Sequence, residues 1–152
     1  MAQEIHQRSR HHPTVVFDGS LYHMVFSVND DSNRILYVTS LDGENAWTLG
    51  PDPEQTTFAA PALVLSRAPS RQPNLLVLVF VANDDSGRIL YATLDLNENP
   101  DNRGWRFRGQ VGGESAQDVF ALATGHISDR SITVYFQEKN RNNRLLELEF
   151  TP

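Results

Sequence analysis

An eleven-residue segment occurs twice in this chain, and that repetition constrains the fold more than any other feature. Asn29–Thr39 reads NDDSNRILYVT, and Asn83–Thr93, which begins 54 residues later, reads NDDSGRILYAT, so only two of eleven positions differ. A weaker third copy keeps the same eight-residue step from Phe to Arg, which occurs at Phe26–Arg34, Phe80–Arg88 and Phe136–Arg144. A period in the fifties with strand-like sequence favours propeller blades over helical solenoids.

Each repeat contains short strand-forming runs separated by turn residues. The predicted strands of the first repeat are Thr14–Phe17, Leu21–Val28, Arg34–Leu41 and Ala46–Leu49. Those of the second are Ala62–Ser66, Leu75–Ala82, Arg88–Leu94 and Gly104–Phe107, and those of the third are Val119–Ala123, Ile132–Gln137 and Arg144–Phe150. We therefore predict a polar N-terminal tail, 1–12, and one domain, 13–152, with repeats at approximately 13–60, 61–117 and 118–152.

The run Leu75–Val81 is apolar at every position, which predicts a strand that is covered on both faces. Blades that stack around an axis cover both faces of their sheets in this way. The predicted fold class is all-β and propeller-like, with three repeats of short antiparallel strands. Three blades do not close a ring, so we expect oligomerisation to complete it, most simply as a homodimer with six blades. A monomeric β-sandwich is the alternative, and residues near Ile5 are a candidate for a missing outer strand.

Composition excludes several classes of function. The formal net charge is -6 with interspersed charges, which argues against nucleic acid as a partner. The chain has no cysteine, so a disulfide framework, a thiolate metal site and a Cys nucleophile are all excluded. No catalytic motif and no sign of a cofactor occurs, and the first strands of the repeats contain no acid. Asp18 and Asp118, at strand ends, are the nearest candidates for a glycosidase, so we predict a protein that is not an enzyme.

The N-terminal segment lacks the apolar core of a secretory signal, and no apolar run is long enough to span a membrane. These features leave three expectations open: a cytoplasmic protein, secretion by a route without a cleaved signal, or an already mature chain. His6, His11 and His12 are a candidate metal cluster, although histidines in a polar tail are more often simply solvated. We predict no metal site.

The third repeat, with Ser131–Gln137 followed by Asn143–Phe150, resembles a blade of the fucose-binding six-bladed propeller lectins of fungi and bacteria. The first two repeats resemble the wider set of bacterial propeller lectins, because Arg-Ile-Leu-Tyr is followed by an Asp-Gly turn or a Gly-Trp pair. The resemblance implies sugar sites between blades built from an Arg, a Glu and a Trp, and it implies that rings assemble from short subunits. Glu147 occupies the position of the family's Glu. Thr133 and Phe150 stand where the family has Arg and Trp, so only part of the family's sugar site carries over and the resemblance does not define which sugar is bound.

The residues also suggest sugar binding independently of that resemblance. The apolar face of a pyranose packs on aromatic rings, while Arg and carboxylate groups bind its hydroxyls. The candidate ligand-binding residues are Trp47, Trp105, Arg34, Arg88, Tyr37, Tyr91 and Glu147. We predict a non-enzymatic, multivalent lectin that binds glycans or glycoconjugates and forms a homodimer or a higher homo-oligomer. A structural or protein-binding propeller and a propeller glycosidase are the alternatives.

Structural roles compete with ligand binding at several of these positions. The tryptophans also suit packing between blades, and the arginines also suit ion pairs with Asp31 or Asp85 across their hairpins. The Asn-Asp-Asp-Ser tips contain oxygen ligands suited to calcium, but the same residues form hairpin turns, which is the interpretation we favour. The segment Ser40–Thr48 resembles the Asp-box turn of sialidase-type propellers, which is a structural motif.

Overall fold

The structure is a computed structural model of the chain, and it describes residues 9–66, 74–120, 131–139 and 144–152, with the side chains of 118–120 left out. Within these ranges the chain forms ten β-strands and one short 3-10 turn, Pro100–Asn102. The prediction of an all-β fold is confirmed. No helix in the described ranges is long and apolar enough to cross a membrane. Ile5, His6, residues 67–73 and the predicted strand residues 121–123 lie outside the described residues.

The first sheet is an antiparallel meander of four strands in chain order. Its strands are β1 (Thr14–Phe17), β2 (Tyr22–Ser27), β3 (Ile35–Ser40) and β4 (Thr48–Leu49). Each observed strand ends within two residues of its predicted boundary. We call this sheet the first blade.

The second sheet has six strands in consecutive order. They are β5 (Ala62–Ser66), β6 (Leu75–Val81), β7 (Arg88–Asp95), β8 (Arg106–Phe120), β9 (Ile132–Glu138) and β10 (Leu145–Phe150). Residues 106–115 of β8 pair with β7, and residues 116–120 pair with β9. We call β5–β7 with 106–115 the second blade, and 116–120 with β9 and β10 the third blade.

The two separate strands predicted at Gly104–Phe107 and Val119–Ala123 were wrong, because β8 runs continuously between them within the described residues. The intervening segment contains Gly109, Gly112 and Gly113, and glycine is also common in turns. Gly109 and Gly112 instead have φ of 117° and 62°, and the pairing of β7 with β8 shifts register along this stretch. Glycine tolerates this backbone at a bulge, where a strand bends without ending.

Both faces of β6 are buried, as predicted, because different blades cover them. Leu76, Leu78 and Phe80 pack in one apolar cluster with Val25 and Tyr37 of the first blade. Val77, Val79 and Val81 pack in another cluster with Ile132, Val134 and Phe136 of the third blade. The three blades therefore stack face to face in chain order, which is a propeller-like arrangement.

The same repeat position faces the same way in every blade. We call the face toward the following blade the front face and the face toward the preceding blade the back face. Strand register places Tyr37, Tyr91 and Glu147 at equivalent front-face positions, and places Phe26, Phe80 and Phe136 at equivalent back-face positions. The sequence repeat is thus reproduced as a repeat of orientation.

The two near-identical hairpin tips lie side by side. The Asn33 side-chain amide donates to Asn83 Oδ1 at 3.2 Å, and Arg10 donates to Asn33 Oδ1 at 2.8 Å. Within the tips, Asp30 and Asp84 accept hydrogen bonds from the backbone N–H groups of Ser32 and Ser86. The carboxylates therefore act as turn-forming acceptors.

Candidate functional site

Three polar side chains of the first blade, each from a different part of the meander, lie together at one end of its sheet. In an antiparallel meander, the end of β1, the start of β2 and the end of β3 lie together. Asp18 follows β1, His23 lies in β2, and Tyr37 of β3 extends its hydroxyl toward His23. These three side chains form one hydrogen-bonded chain.

The hydrogen-bonded chain runs from Asp18 through His23 to Tyr37. The His23 ring has no exposed surface, and it lies 2.9 Å from Asp18 Oδ2 through Nε2 and 2.7 Å from the Tyr37 hydroxyl through Nδ1. A carboxylate only accepts, so Nε2–H donates to Asp18 and Nδ1 accepts from the phenol. In the neutral imidazole, this arrangement places the single ring proton on Nε2.

The local environment shifts the pKa of both end groups. Burial raises the pKa of Asp18, but hydrogen bonds from the amides of Leu21 and Ser20 and from His23 outweigh it and hold that pKa below its usual value. Burial raises the pKa of Tyr37 far above its usual value, with a smaller opposing effect from the positive charge of Arg103 and a raising effect from Asp18. The carboxylate is therefore ionised and the phenol protonated near neutral pH.

Across the junction from Tyr37 lies the connection between β7 and β8. Asn99 caps the 3-10 turn with its side chain, and Arg103 Nη2 donates to the carbonyls of Leu96 at 2.5 Å and Glu98 at 3.0 Å. Trp105 then packs edge-on against Tyr37, with ring centroids 5.4 Å apart and an interplanar angle of 86°. We call Tyr37, Glu98, Arg103 and Trp105 the first-junction cluster.

Three polar atoms of this cluster are buried without a hydrogen-bond partner among the described residues. They are Glu98 Oε2, Arg103 Nε and Trp105 Nε1. Glu98 uses its other carboxylate oxygen to pair with Arg106. An unpaired buried polar group costs about 1–3 kcal/mol, so three on one loop require an explanation. The combination of Arg, Glu, Trp and Tyr is chemically suited to a hydroxyl-rich ligand.

The structure brings two of the seven predicted ligand residues, Tyr37 and Trp105, into contact. Tyr91 instead contacts Phe150 at the second junction, with ring centroids 4.9 Å apart. Trp47 packs on the back face of the first blade, against a cluster of Met24, Phe26 and Val38, and its Nε1 is buried without a partner among the described residues. Glu147 is exposed on the front face of the third blade.

The two predicted arginines form exposed ion pairs at the hairpin-tip end of the sheets. Arg34 pairs with Asp52, and Arg88 pairs with Asp84 at 2.5 Å. Ion pairing is therefore confirmed, but the predicted partners Asp31 and Asp85 were wrong. The acid that pairs with Arg34 lies in the segment after β4, outside the hairpin from which its partner was predicted. Ligand binding by Arg34 and Arg88 stays a prediction.

Sequence reasoning missed Glu98, Arg103 and His23. The first two lie in the polar segment 95–103, which separates two predicted strands and contains no candidate residue of the sequence analysis. The sequence did contain a signal of a polar site, because this segment directly precedes Gly104-Trp105 and contains both a carboxylate and a guanidinium group. His23 lies between apolar neighbours in β2, where only its contacts with Asp18 and Tyr37 reveal its role.

The Asp-box-like turn of the first blade borders a pocket of about 310 Å³. Asp42 Oδ1 accepts from the backbone amides of Glu44 and Asn45 at 2.9 and 2.8 Å, and Ser40 Oγ donates within the same turn. These bonds hold the pKa of Asp42 well below its usual value. The polar groups of this turn are therefore occupied by the turn itself.

Stacked antiparallel blades with a polar and aromatic junction define a propeller-like, all-β protein. No protein-family model and no curated protein sequence matches the chain. Among solved structures, the chain is similar to a fucose lectin from Kordia zhangzhouensis in complex with methyl-fucoside. The TM-score is 0.60 and the identity 16%, over 91% of this chain and 92% of that one. The resemblance to propeller lectins is thus confirmed at the level of the fold.

The chain is also similar to the catalytic domain of a GH62 α-L-arabinofuranosidase from Coprinopsis cinerea. The TM-score is 0.55 and the identity 18%, over 99% of this chain but only 48% of that domain. The chain thus spans about half of the arabinofuranosidase domain. At these identities both likenesses concern the fold alone.

Proposed function

We propose that this protein binds carbohydrate without hydrolysing it, and that the first-junction cluster is one of its sites. The observation that carries the proposal is the set of three unpaired buried atoms, Glu98 Oε2, Arg103 Nε and Trp105 Nε1, on the one connection whose Trp105 contacts Tyr37. Sugar hydroxyls both donate and accept, so they pair with a carboxylate oxygen and with N–H groups alike.

The fold neighbours support this proposal indirectly. One is a lectin described in complex with methyl-fucoside, and the other is the catalytic domain of an enzyme named for an arabinofuranoside. The three atoms are shielded from solvent in the structure, so a ligand reaches them through rotation of the Arg103 and Trp105 side chains. We further propose that several copies assemble, because weak sites in one assembly gain avidity on a glycosylated surface.

A glycan array followed by calorimetric titration of the best methyl glycoside tests the proposal. Arg103→Ala removes a charged hydrogen-bond donor, which is worth about 1.5–3 kcal/mol and thus weakens Kd by about 10- to 150-fold. Trp105→Ala removes the aromatic platform and also weakens binding. Phe107→Ala is the matched control, because Phe107 lies two residues away on β8 and is 54% exposed. If the Arg103→Ala variant folds normally and binds as tightly as the Phe107→Ala variant, the site is excluded.

Hydrolysis is the second candidate function, because the arabinofuranosidase domain shares the fold. Glycosidases of this kind use a pair of carboxylates, and Asp18 is the candidate acid in the first blade. Asp18 accepts from Ser20 and Leu21 amides and from His23, so it already has a turn-forming role. Release of nitrophenol from a nitrophenyl arabinofuranoside that disappears in Asp18→Asn would establish the enzyme. Binding to no glycan by a folded assembly would instead favour a protein partner.

A further inference from the structure

The pocket beside the Asp-box-like turn has the size and the lining of a small ligand site. Its volume of about 310 Å³ falls at the lower end of the range of about 300–1,000 Å³ that is usual for ligand pockets. Leu21, Leu41 and Ala46 supply apolar surface, and Thr39 and Thr48 supply hydroxyl groups. All of the lining residues belong to the first blade and its turns, so the pocket is formed within one chain.

The two threonine hydroxyls are scarcely used by the protein itself. Thr39 and Thr48 pair across β3 and β4, so their side chains are neighbours on the same face. Within the described residues, the Thr48 hydroxyl approaches only the Ala46 carbonyl, at 3.5 Å, which is long for a hydrogen bond. The Thr39 hydroxyl has no hydrogen bond in the described part of the chain. Both groups are therefore available to a ligand.

The second blade uses the equivalent threonine differently. Thr93 occupies the repeat position of Thr39, is buried, and accepts a hydrogen bond from Arg108 Nε at 2.9 Å through its hydroxyl. Strand β4 of the first blade offers no such donor, because its two residues are Thr48 and Leu49. The unpaired hydroxyl of Thr39 is thus particular to the first blade and is not a property of the repeat.

The methyl group of Ala46 lies in the pocket wall at a cost in backbone strain. Ala46 has a φ of 49°, in the left-handed region that residues with a Cβ atom rarely adopt. Gly104 stands at the equivalent position, because both residues lie two before the strand residue that pairs with Thr39 or Thr93. Strain of this kind is concentrated at ligand sites. It is therefore a further observation that points to a ligand here.

The charge of the lining selects among ligands. Asp42 is the one charged residue of the lining, and hydrogen bonds from the Asn45 and Glu44 amides hold its pKa well below the usual value, so it is ionised near neutral pH. Asp42 Oδ1 accepts from those two amides and Oδ2 accepts from the Asn45 side chain, which leaves little acceptor capacity for a cation. A fixed negative charge repels an anion. The pocket therefore suits an uncharged ligand.

The pocket adjoins the first-junction cluster on the front face of the first blade. Thr39 follows Tyr37 by two residues in β3, so both side chains point to this face. Thr39 also pairs with His23 of β2, the residue that the Tyr37 hydroxyl contacts. The same threonine therefore lines the pocket and borders Tyr37, which in turn contacts Trp105.

We propose that this pocket binds one uncharged sugar unit, as the second subsite of an oligosaccharide whose neighbouring unit occupies the first-junction cluster. The apolar wall packs on the apolar face of the sugar ring, and the hydroxyls of Thr39 and Thr48 bind ring hydroxyls, which both donate and accept. Asp42 disfavours acidic sugars. The inference rests on the proposed function for the cluster, whereas occupation of the pocket is measured separately.

Calorimetric titration with two probes tests the second subsite. The probes are the oligosaccharide that gives the strongest array signal and the methyl glycoside of its tightest-binding unit. Thr39→Val and Thr48→Val each remove one hydroxyl group. Loss of one neutral hydrogen bond is expected to weaken Kd for the oligosaccharide by about 2- to 12-fold. The Kd of the methyl glycoside is expected to stay unchanged, because that probe fills only the cluster.

The controls separate this inference from the proposed function. Thr93→Val makes the same change at the equivalent position outside the pocket, and it is expected to leave both Kd values unchanged. If Arg103→Ala weakens both probes and the two pocket variants weaken neither, only the second subsite is wrong. If Arg103→Ala affects neither probe, the proposed function of the cluster fails and the joint site fails with it. Equal weakening of both probes by Thr39→Val would also overturn the arrangement of two subsites.

A thiol placed in the pocket reports its occupation directly. The chain has no cysteine, so Thr48→Cys carries a single thiol, whose reaction with N-ethylmaleimide is followed by mass spectrometry. Saturating oligosaccharide is expected to slow this reaction, and saturating methyl glycoside is not. Leu145→Cys, at a position that is 67% exposed in the third blade, is expected to react equally fast under all conditions. A Thr48→Cys protein that reacts as fast with the oligosaccharide as without it would rule out the pocket as a sugar subsite.

Discussion

Replacing Tyr37 by Phe removes one oxygen atom and thereby tests the buried hydrogen bonds that connect Asp18, His23 and Tyr37. The change keeps the ring against Trp105 but leaves His23 Nδ1, at a position with no exposed surface, without its 2.7 Å partner. Leaving a buried acceptor unpaired costs about 1–3 kcal/mol. At roughly 2–4 °C per kcal/mol for a chain of this size, Tm is expected to fall by about 2–12 °C.

The repeat provides the matched control. Tyr91 occupies the equivalent position in the second blade and contacts Phe150 through its ring, with no hydrogen bond of its hydroxyl in the described residues. Tyr91→Phe is therefore expected to change stability by less than about 0.5 kcal/mol. Urea unfolding, followed by circular dichroism at one fixed protein concentration, measures both variants. Equal effects of the two substitutions would refute the assigned role of the Tyr37 hydroxyl.

The same hydroxyl predicts an alkaline limit to stability. Burial raises the pKa of Tyr37 above the usual 10.0, so the folded chain holds this proton more tightly than the unfolded chain does. The associated stability is complete below pH 10 and is lost as pH rises above it toward the raised pKa. Tyr37→Phe is expected to flatten this alkaline loss in a series of unfolding curves. A variant that loses stability as steeply as the original protein would contradict the linkage.

Two further substitutions probe the same region. The pKa of Asp18 is lowered on folding, so the contribution of Asp18 to stability is present above the usual pKa of 3.8 and is lost as pH falls below that value. When unfolding is measured across acid pH, the free energy of unfolding of Asp18→Asn is therefore expected to converge on that of the original protein. Gly50→Ala is expected to cost about 1–3 kcal/mol in urea unfolding, because the added methyl group would overlap the Tyr37 ring. Gly104→Ala, where nothing lies within 4 Å of the added atom, should be nearly neutral, and equal losses at both glycines would argue against this packing.

Local patterns predicted most of the strands, because apolar runs bounded by turn residues carry their own boundaries. Thr14–Phe17 and Ala62–Ser66 match β1 and β5 at both ends. The continuity of β8 was not predictable in the same way, since Gly109–Gly113 has the composition of a turn. Whether glycines end a strand or bend it depends on the partners that β7 and β9 provide.

The site was harder to predict than the fold for a related reason. Repeat positions identified Tyr37 and Trp105, but the contact between them depends on how two blades stack. Glu98 and Arg103 belong to an insertion without a counterpart in the other repeats, so no periodic signal distinguishes them from solvated loop residues. The unpaired state of their atoms is a property of three-dimensional packing.

Because β8 is continuous, the repeats of the sequence do not coincide with structural units that could fold separately. The predicted boundary between the second and third repeats, 117/118, lies inside this strand, which pairs with β7 at one end and with β9 at the other. Hydrogen bonds of one backbone thus connect the second and third blades, whereas the first blade joins them mainly through side-chain packing. The first blade is therefore the part able to open by itself, and amide hydrogen exchange should be fastest there while the other two blades exchange together.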